Sequence, residues 1–235
     1  MEDTTMDNQQ GKQPNVIHLL AYSLGAFLGD GYFKYHYYGN GGWWMIEVST
    51  MDREIVETVR EQIKSVFNAD YTIKHRTLKS GVDFWTYRST RKVIYDVFTS
   101  VTSLKTQIPQ DIINAPRSVV IDFIAGLFDT DGTIVHNKED RFQVKFGSTN
   151  KPLVECVASL LQRHGVMVGK IGEYTKSGYR TGYSIQPNIR SFIEAGFNFR
   201  VQRKLMRLGE YLIKVGASET MHAAPVTSGD DIVQS

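Results

Sequence analysis

Apolar residues recur along this chain with two periods, 3.6 and 2, and the switches between them set out its elements. In residues 123–134, FIAGLFDTDGTI, Ile124, Leu127 and Phe128 fall at i, i+3 and i+4 and share one helical face, while Ala125 and Gly126 leave another face nearly bare. A bare face lets a second helix come close. Residues 16–30 offer a matching face, with Ala21, Gly25 and Gly29 at i, i+4 and i+8, and Gly126 and Thr130 continue that stripe in the later segment. Asp129, Thr130 and Asp131 crowd the C-terminal turn, where the helix dipole disfavours negative charge, and Gly132 is expected to take a positive φ and stop the helix. Carboxylates set against the dipole need compensation, for which a bound cation is the obvious source.

Period-2 stretches follow each of these helices. Residues 32–38 and 43–50 read as strands split by the turn Gly39-Asn40-Gly41-Gly42. A helix over 52–67, strands near 71–77 and 83–89 and a helix from about Arg91 complete the order αββαββα. The second half repeats it: helix 117–130, strands near 133–137 and 141–148, helix 151–164, strands near 166–174 and 180–187, and helices near 188–196 and 200–215. Pro109, Asn114 and Pro116 mark the linker. The fold expected is α+β, two pseudo-symmetric repeats over 15–115 and 116–217 that form a saddle of two antiparallel sheets with paired central helices. Residues 1–14 and 218–235 are polar and acidic and are expected to be disordered tails.

The repeat is also visible letter by letter. SLGAFLGDG (23–31) laid over IAGLFDTDG (124–132) aligns Gly25 with Gly126, Asp30 with Asp131 and Gly31 with Gly132. The sequels align too, IEVSTMDREIVETV (46–59) with VKFGSTNKPLVECV (144–157). A pseudo-twofold protein built this way would bring Asp30 and Asp131 together. The pairs Ser49-Thr50 and Ser148-Thr149 precede helices, read as N-caps, and are taken to fix the register of the repeat.

On these residues the chain resembles the LAGLIDADG homing endonucleases in their single-chain, two-motif form. IAGLFDTDG shares six of nine letters with the family motif; the first copy keeps Gly25, Asp30 and Gly31 and has Leu28 where the family often has an acid. Residues 104–132 also resemble the inter-repeat segment of intein-type members, and the resemblance covers roughly residues 16–215. It implies hydrolysis of both strands of a long DNA site by a monomer. Two sheets at about 4.8 Å per strand span on the order of 20 base pairs at about 3.4 Å each. The chain is then expected to be freestanding or intron-encoded, serving intron homing. Relatives that act as RNA maturases on their own intron, or that bind DNA without cleavage, supply the alternatives.

Charge fits a nucleic-acid partner once the tails are set aside. The whole chain of 235 residues is only +2, but residues 15–217 hold 26 basic and 19 acidic residues, a net +7. No apolar run approaches the roughly 18 residues of a membrane span, and the opening MEDTTMDNQQGKQP is unlike a signal peptide. A cytoplasmic protein is expected, nucleoid-associated or in an organellar matrix according to host, with no membrane partner. The single cysteine, Cys156, excludes an internal disulfide and reads as packed; the histidines lack the HxxxH spacing of a zinc site, and no glycine-rich phosphate loop is present.

The chemistry implied by the resemblance falls on few residues. Asp30 and Asp131 would hold divalent ions, Mg²⁺ with Mn²⁺ or Ca²⁺ able to occupy the same sites. Lys105, 75 residues after Asp30, and Lys204, 73 after Asp131, would neutralise developing charge, Arg200 and Arg203 competing with Lys204 for that role. Double-stranded DNA would be met by the polar sheet faces, on which alternation places Arg141, Gln143 and Lys145 opposite Phe142, Val144 and Phe146. Lys74, Arg76, Arg180, Ser184 and Gln186 join them, although any half-buried sheet has a polar outer face.

Overall fold

The computed structural model describes residues 15–39, 41–102, 107–175 and 180–222, with side chains described up to residue 216. Two helices lie at its centre. The first expected helix divides at Leu20 into α1 (Val16–Leu19) and α2 (Ala21–Asp30), while α6 (Arg117–Thr130) runs as the sequence pattern requires. Pro116 stands at the N-cap of α6, where a missing N–H costs nothing.

Each central helix feeds a four-stranded antiparallel sheet. In the first half β1 (Gly31–Tyr38), β2 (Gly41–Thr50), β3 (Lys74–Thr77) and β4 (Asp83–Ser89) take the order β1-β2-β4-β3. In the second, β5 (Gly132–His136), β6 (Phe142–Ser148), β7 (Gly172–Tyr174) and β8 (Gly182–Ile185) repeat it as β5-β6-β8-β7. The inner faces pack against α3 (Arg53–Phe67) and α4 (Lys92–Thr102) in one half and α7 (Lys151–Arg163) and α8 (Ile189–Glu194) in the other. A short α5 (Gln110–Ile113), which the pattern does not foretell, lies in the linker, and α9 (Gln202–His222) extends past the boundary expected at 217. One continuous apolar core joins the halves, with Tyr22, Phe27, Phe123 and Phe128 fully buried at its middle.

Register explains two departures. Gly31 pairs with Val48 and Gly132 with Phe146, so the second hairpin is three residues shorter and the repeat offset falls from 101 at the aspartates to 98 beyond it. The helix N-caps are therefore Asp52 and Asn150, and Thr50 and Ser148, not the Ser-Thr pairs as such, are equivalent: each accepts the amide of its own cap residue at 3.2 Å. Gly132 also lacks the expected left-handed φ. Glycine is needed there because a Cβ would stand 2.6 Å from the Phe128 carbonyl oxygen, and Gly31 meets the Phe27 carbonyl oxygen in the same way at 2.4 Å.

Candidate active site

The contact between α2 and α6 is made main chain to main chain. A Cβ on Gly25 would stand 2.1 Å from the carbonyl oxygen of Phe123, and one on Gly126 would stand 2.0 Å from that of Tyr22. These contacts are related residue for residue by the internal repeat. Further along, a Cβ on Gly29 would lie 2.1 Å from Thr130 Oγ1 and 3.3 Å from the carboxyl carbon of Asp131. The Asp131 carboxyl thus lies against the residue before Asp30, and both aspartates stand at the same end of the helix pair. Asp30 is exposed and Asp131 half-buried.

The second aspartate stands on a braced helix end. Lys204, only 3% exposed, reaches from α9 and donates to the carbonyls of Phe128 at 2.8 Å, Asp129 at 2.7 Å and Gly132 at 2.7 Å. These three bonds use all three donors of the ammonium, and they satisfy carbonyls that a helix C-terminus leaves open. Burial pulls its pKa down to about 8, while the carboxylates of Asp129, Asp52 and Asp30 favour the charged form. Lys204 is therefore a cap that positions α6, which corrects the expectation that it faces the scissile phosphate. Lys105 lies outside the described residues.

Asp129 supplies a second brace. It is buried and accepts the Tyr22 hydroxyl at 2.8 Å and the amide of Arg200 at 3.0 Å, which ties α2, α6 and the start of α9 together. Burial raises its pKa against the pull of those donors. Arg200 stacks 4.7 Å from the Tyr22 ring and pairs with Asp122. Arg203 makes two 2.6 Å bonds to Asp52 at the N-cap of α3, joining the halves. Both guanidinium groups are thus engaged by carboxylates.

The outer sheet faces meet these carboxylates. In the second half Asp131, Thr133, Lys145, Tyr174, Ser184 and Gln186 line one shallow concavity. Lys145, Ser184 and Gln186 are thus brought together with an aspartate, as the alternation requires. Gln143 lies on the same face but farther out, beside Gln186 and Asn188. Arg141 and Arg180 are exposed just outside the strands, and Arg141 pairs with Glu139 at 3.3 Å. In the first half Lys74 and Arg76 line a concavity with Glu47, Ser49, Thr86 and Arg88. Arg88 donates to Glu47 at 2.6 Å, so the position that is Lys145 in one repeat is a paired carboxylate in the other. The parity of β4 could have found Arg88; no local pattern signals the braces made by Tyr22 and Asp129.

The donor set suits a hard divalent ion completed by substrate. Among the described residues no three His, Cys, Asp or Glu side chains form a metal cage. Magnesium sites use one or two carboxylates plus waters and phosphate oxygens, which is what two aspartates at one end of a helix pair can provide. No helix among the described residues is long and apolar enough to cross a membrane.

The LAGLIDADG-like domain model matches residues 118–215. The fold is similar to the homing endonuclease I-DmoI in complex with DNA and calcium, with a TM-score of 0.55 and 20% identity over 77% of this chain and 87% of that one. It is also similar to the LAGLIDADG meganuclease I-AabMI bound to uncleaved DNA, with a TM-score of 0.51 and 9% identity over 86% and 92% of the two chains. An uncharacterized protein of Methanocaldococcus jannaschii is 23% identical over 185 residues, 77% of this chain and 67% of its own length. A probable translation initiation factor IF-2 of the same organism matches at 29% over 120 residues, 48% of this chain but 10% of that protein.

Proposed function

We propose that the chain, which matches the LAGLIDADG-like domain model over residues 118–215 and has a fold similar to that of the LAGLIDADG homing endonucleases, is a site-specific endonuclease that cuts both strands of a long DNA duplex. It would act as a monomer in intron homing, since one chain supplies both halves of the site. The observation that carries the reading is the helix pair itself, packed main chain to main chain and ending in Asp30 and Asp131 beside two polar sheet faces. Two related carboxylates suit a duplex whose two backbones must each be hydrolysed.

Asp30 and Asp131 would hold the divalent ion, which when bound supplies Lewis-acid stabilisation of the phosphate and an activated water. The structure of an I-DmoI variant with its target DNA in 2 mM magnesium supports such use in a relative. The chain's own contribution is placement. Lys204 and the Tyr22–Asp129 bond fix the end of α6, so that the Asp131 carboxylate need not be ordered when substrate arrives. Lys145 offers a positive charge beside Asp131, and Lys74 and Arg76 extend that charge along the first sheet, where Arg88 is balanced by Glu47. Gln143, Ser184 and Gln186 can exchange hydrogen bonds with base edges in a major groove.

A cleavage screen on a randomised duplex library in magnesium tests the reading. Recovery of one family of cut sites from the natural chain, and none from Asp131→Asn, is expected. Failure to enrich any site would sink the proposal.

A further inference from the structure

The β1–β2 hairpin outruns its own sheet. β1 and β2 stay paired out to Tyr38 and Gly41, yet β2 pairs with β4 only over residues 46–50. Residues 34–38 and 41–45 therefore form a two-stranded ribbon with no third strand beside it among the described residues, an arrangement that is marginal alone in water. Cross-strand rings support it: Tyr35 and Trp44 are 5.7 Å apart, as are His36 and Trp43.

The composition of this ribbon has no counterpart in the other repeat. Seven of the sixteen residues 31–46 are Phe, Tyr or Trp and none is acidic, whereas 132–146 holds only Phe142 and Phe146 and includes Glu139 and Asp140. Strand alternation divides the rings between two faces. His36, Tyr38 and Trp43 share the outer face with Lys74 and Arg76, while Tyr35, Tyr37 and Trp44 point the other way, past the end of the core. Tyr37 is 70% exposed and Tyr35 48%. Lys92 of α4 holds its ammonium 5.5 Å from the Trp44 ring and pairs on the surface with Asp96 one turn along.

Two exposed tyrosine rings and a half-buried tryptophan beside a cation, in a segment without acids, match a polyanion that carries flat apolar groups. The bases of a duplex hide their faces in their own stack, so only unpaired bases can lie on such rings. The Tyr37 hydroxyl donates to the Gly39 carbonyl at 2.7 Å and can still accept, which suits a donating ribose 2′-hydroxyl. We propose that Tyr35, Tyr37 and Trp44, with Lys92 beside them, form a stacking platform for unpaired bases of single-stranded RNA, on the ribbon face turned away from the duplex groove. The proposal rests on the endonuclease reading only for the statement of which face the duplex takes. A phosphate would displace the Lys92–Asp96 pair, an exposed i,i+4 contact that holds little energy.

Fluorescence anisotropy of a labelled oligouridine of about 12 nucleotides, titrated with the full chain, tests this. Tyr35→Ala and Tyr37→Ala should each weaken RNA binding about tenfold, the scale of one lost stacking contact. Tyr37→Phe, which keeps the ring, should retain most of the affinity, and binding of a random-sequence DNA duplex should stay within about twofold throughout. No saturable RNA binding by the natural chain, or equal RNA binding by the alanine variants, would overturn the proposal. So would a parallel loss of duplex binding, which would assign the rings to the duplex surface, or equally tight binding of oligodeoxythymidine, which would show that the sugar is not read. Cleavage is not measured, so failure of the endonuclease reading would leave this test intact.

Discussion

The hydroxyl of Tyr22 donates to Asp129 at 2.8 Å across the central helix pair, and the positions that the repeat relates to them, Phe123 and Leu28, are apolar. One half of a nearly symmetric contact is thus a buried, charge-assisted hydrogen bond. Tyr22→Phe copies the apolar half and leaves Asp129 short of a donor in a site where burial already raises its pKa. A loss of about 1–3 kcal/mol is expected in urea unfolding. A variant as stable as the natural chain would show that the Arg200 amide and its neighbour alone satisfy the carboxylate.

Glycine substitutions should separate sharply by site. Gly25→Ala and Gly126→Ala put a methyl group about 2 Å from a carbonyl oxygen of the opposite helix, which only separation of the helices can relieve. A loss of about 3 kcal/mol or more is expected for each, the upper range of overpacking costs. Gly41→Ala meets nothing within 4 Å and should be near neutral. Thermal melts of the three variants provide the comparison.

Asp30→Asn and Asp131→Asn should each abolish double-strand cleavage in magnesium while leaving duplex affinity within a few-fold, because binding is spread over two sheets. Gel mobility and cleavage assays on one labelled duplex measure both. Either variant cutting both strands at the natural rate would remove that carboxylate from the chemistry.

Lys145 and Gln143 share a sheet face but differ in their distance from the paired aspartates: Lys145 lines the concavity of Asp131, Gln143 does not. Lys145→Ala should lower affinity or rate for all sequences and reduce the salt slope by about one. Gln143→Ala should instead relax preference at one or two base pairs at a cost of about 1–3 kcal/mol. Profiling against a single-substitution target library decides between them, and unchanged behaviour of both would put DNA on the other sheet face.

Away from the site, Asp70 joins the loop after α3 to that helix through two bonds from Arg60, at 2.6 and 2.9 Å, and one from Lys64 at 3.0 Å. These donors hold its pKa at about 2, below the ordinary 3.8. The folded state therefore keeps the carboxylate charged where the unfolded chain protonates it. The stabilisation is complete above about pH 3.8 and is lost as pH falls through about 2. The stability gap between the natural chain and Asp70→Asn should narrow across that window in denaturant titrations; a constant gap would contradict the assignment.

The two aspartates and the sheet faces were legible because they repeat at fixed spacing, and a repeat with one carboxylate per copy announces its own twofold. Lys145, Ser184 and Gln186 followed from strand parity alone. Lys204 did not, since a lysine spaced like a catalytic group and one that caps a distant helix look alike in sequence, and only tertiary packing shows where its three donors go. The Ser-Thr pairs misled by one residue because a shorter second hairpin shifts the offset that letters alone seem to hold constant. Gly132 misled for a different reason: its missing side chain makes room for a carbonyl, not for a left-handed turn.

The main-chain contact at Gly25 and Gly126 also bears on how such halves can diverge after duplication. An interface built from peptide groups is blind to side-chain identity, and asks only that a few positions carry no Cβ. Positions beside these glycines can then differ between the halves, as Tyr22 differs from Phe123 and Leu28 from Asp129. This is how the first copy can hold Leu28 against the Asp129 of the second and still deliver its aspartate to the same place. Two unlike half-sites can then be served by one chain without the centre of the molecule having to change.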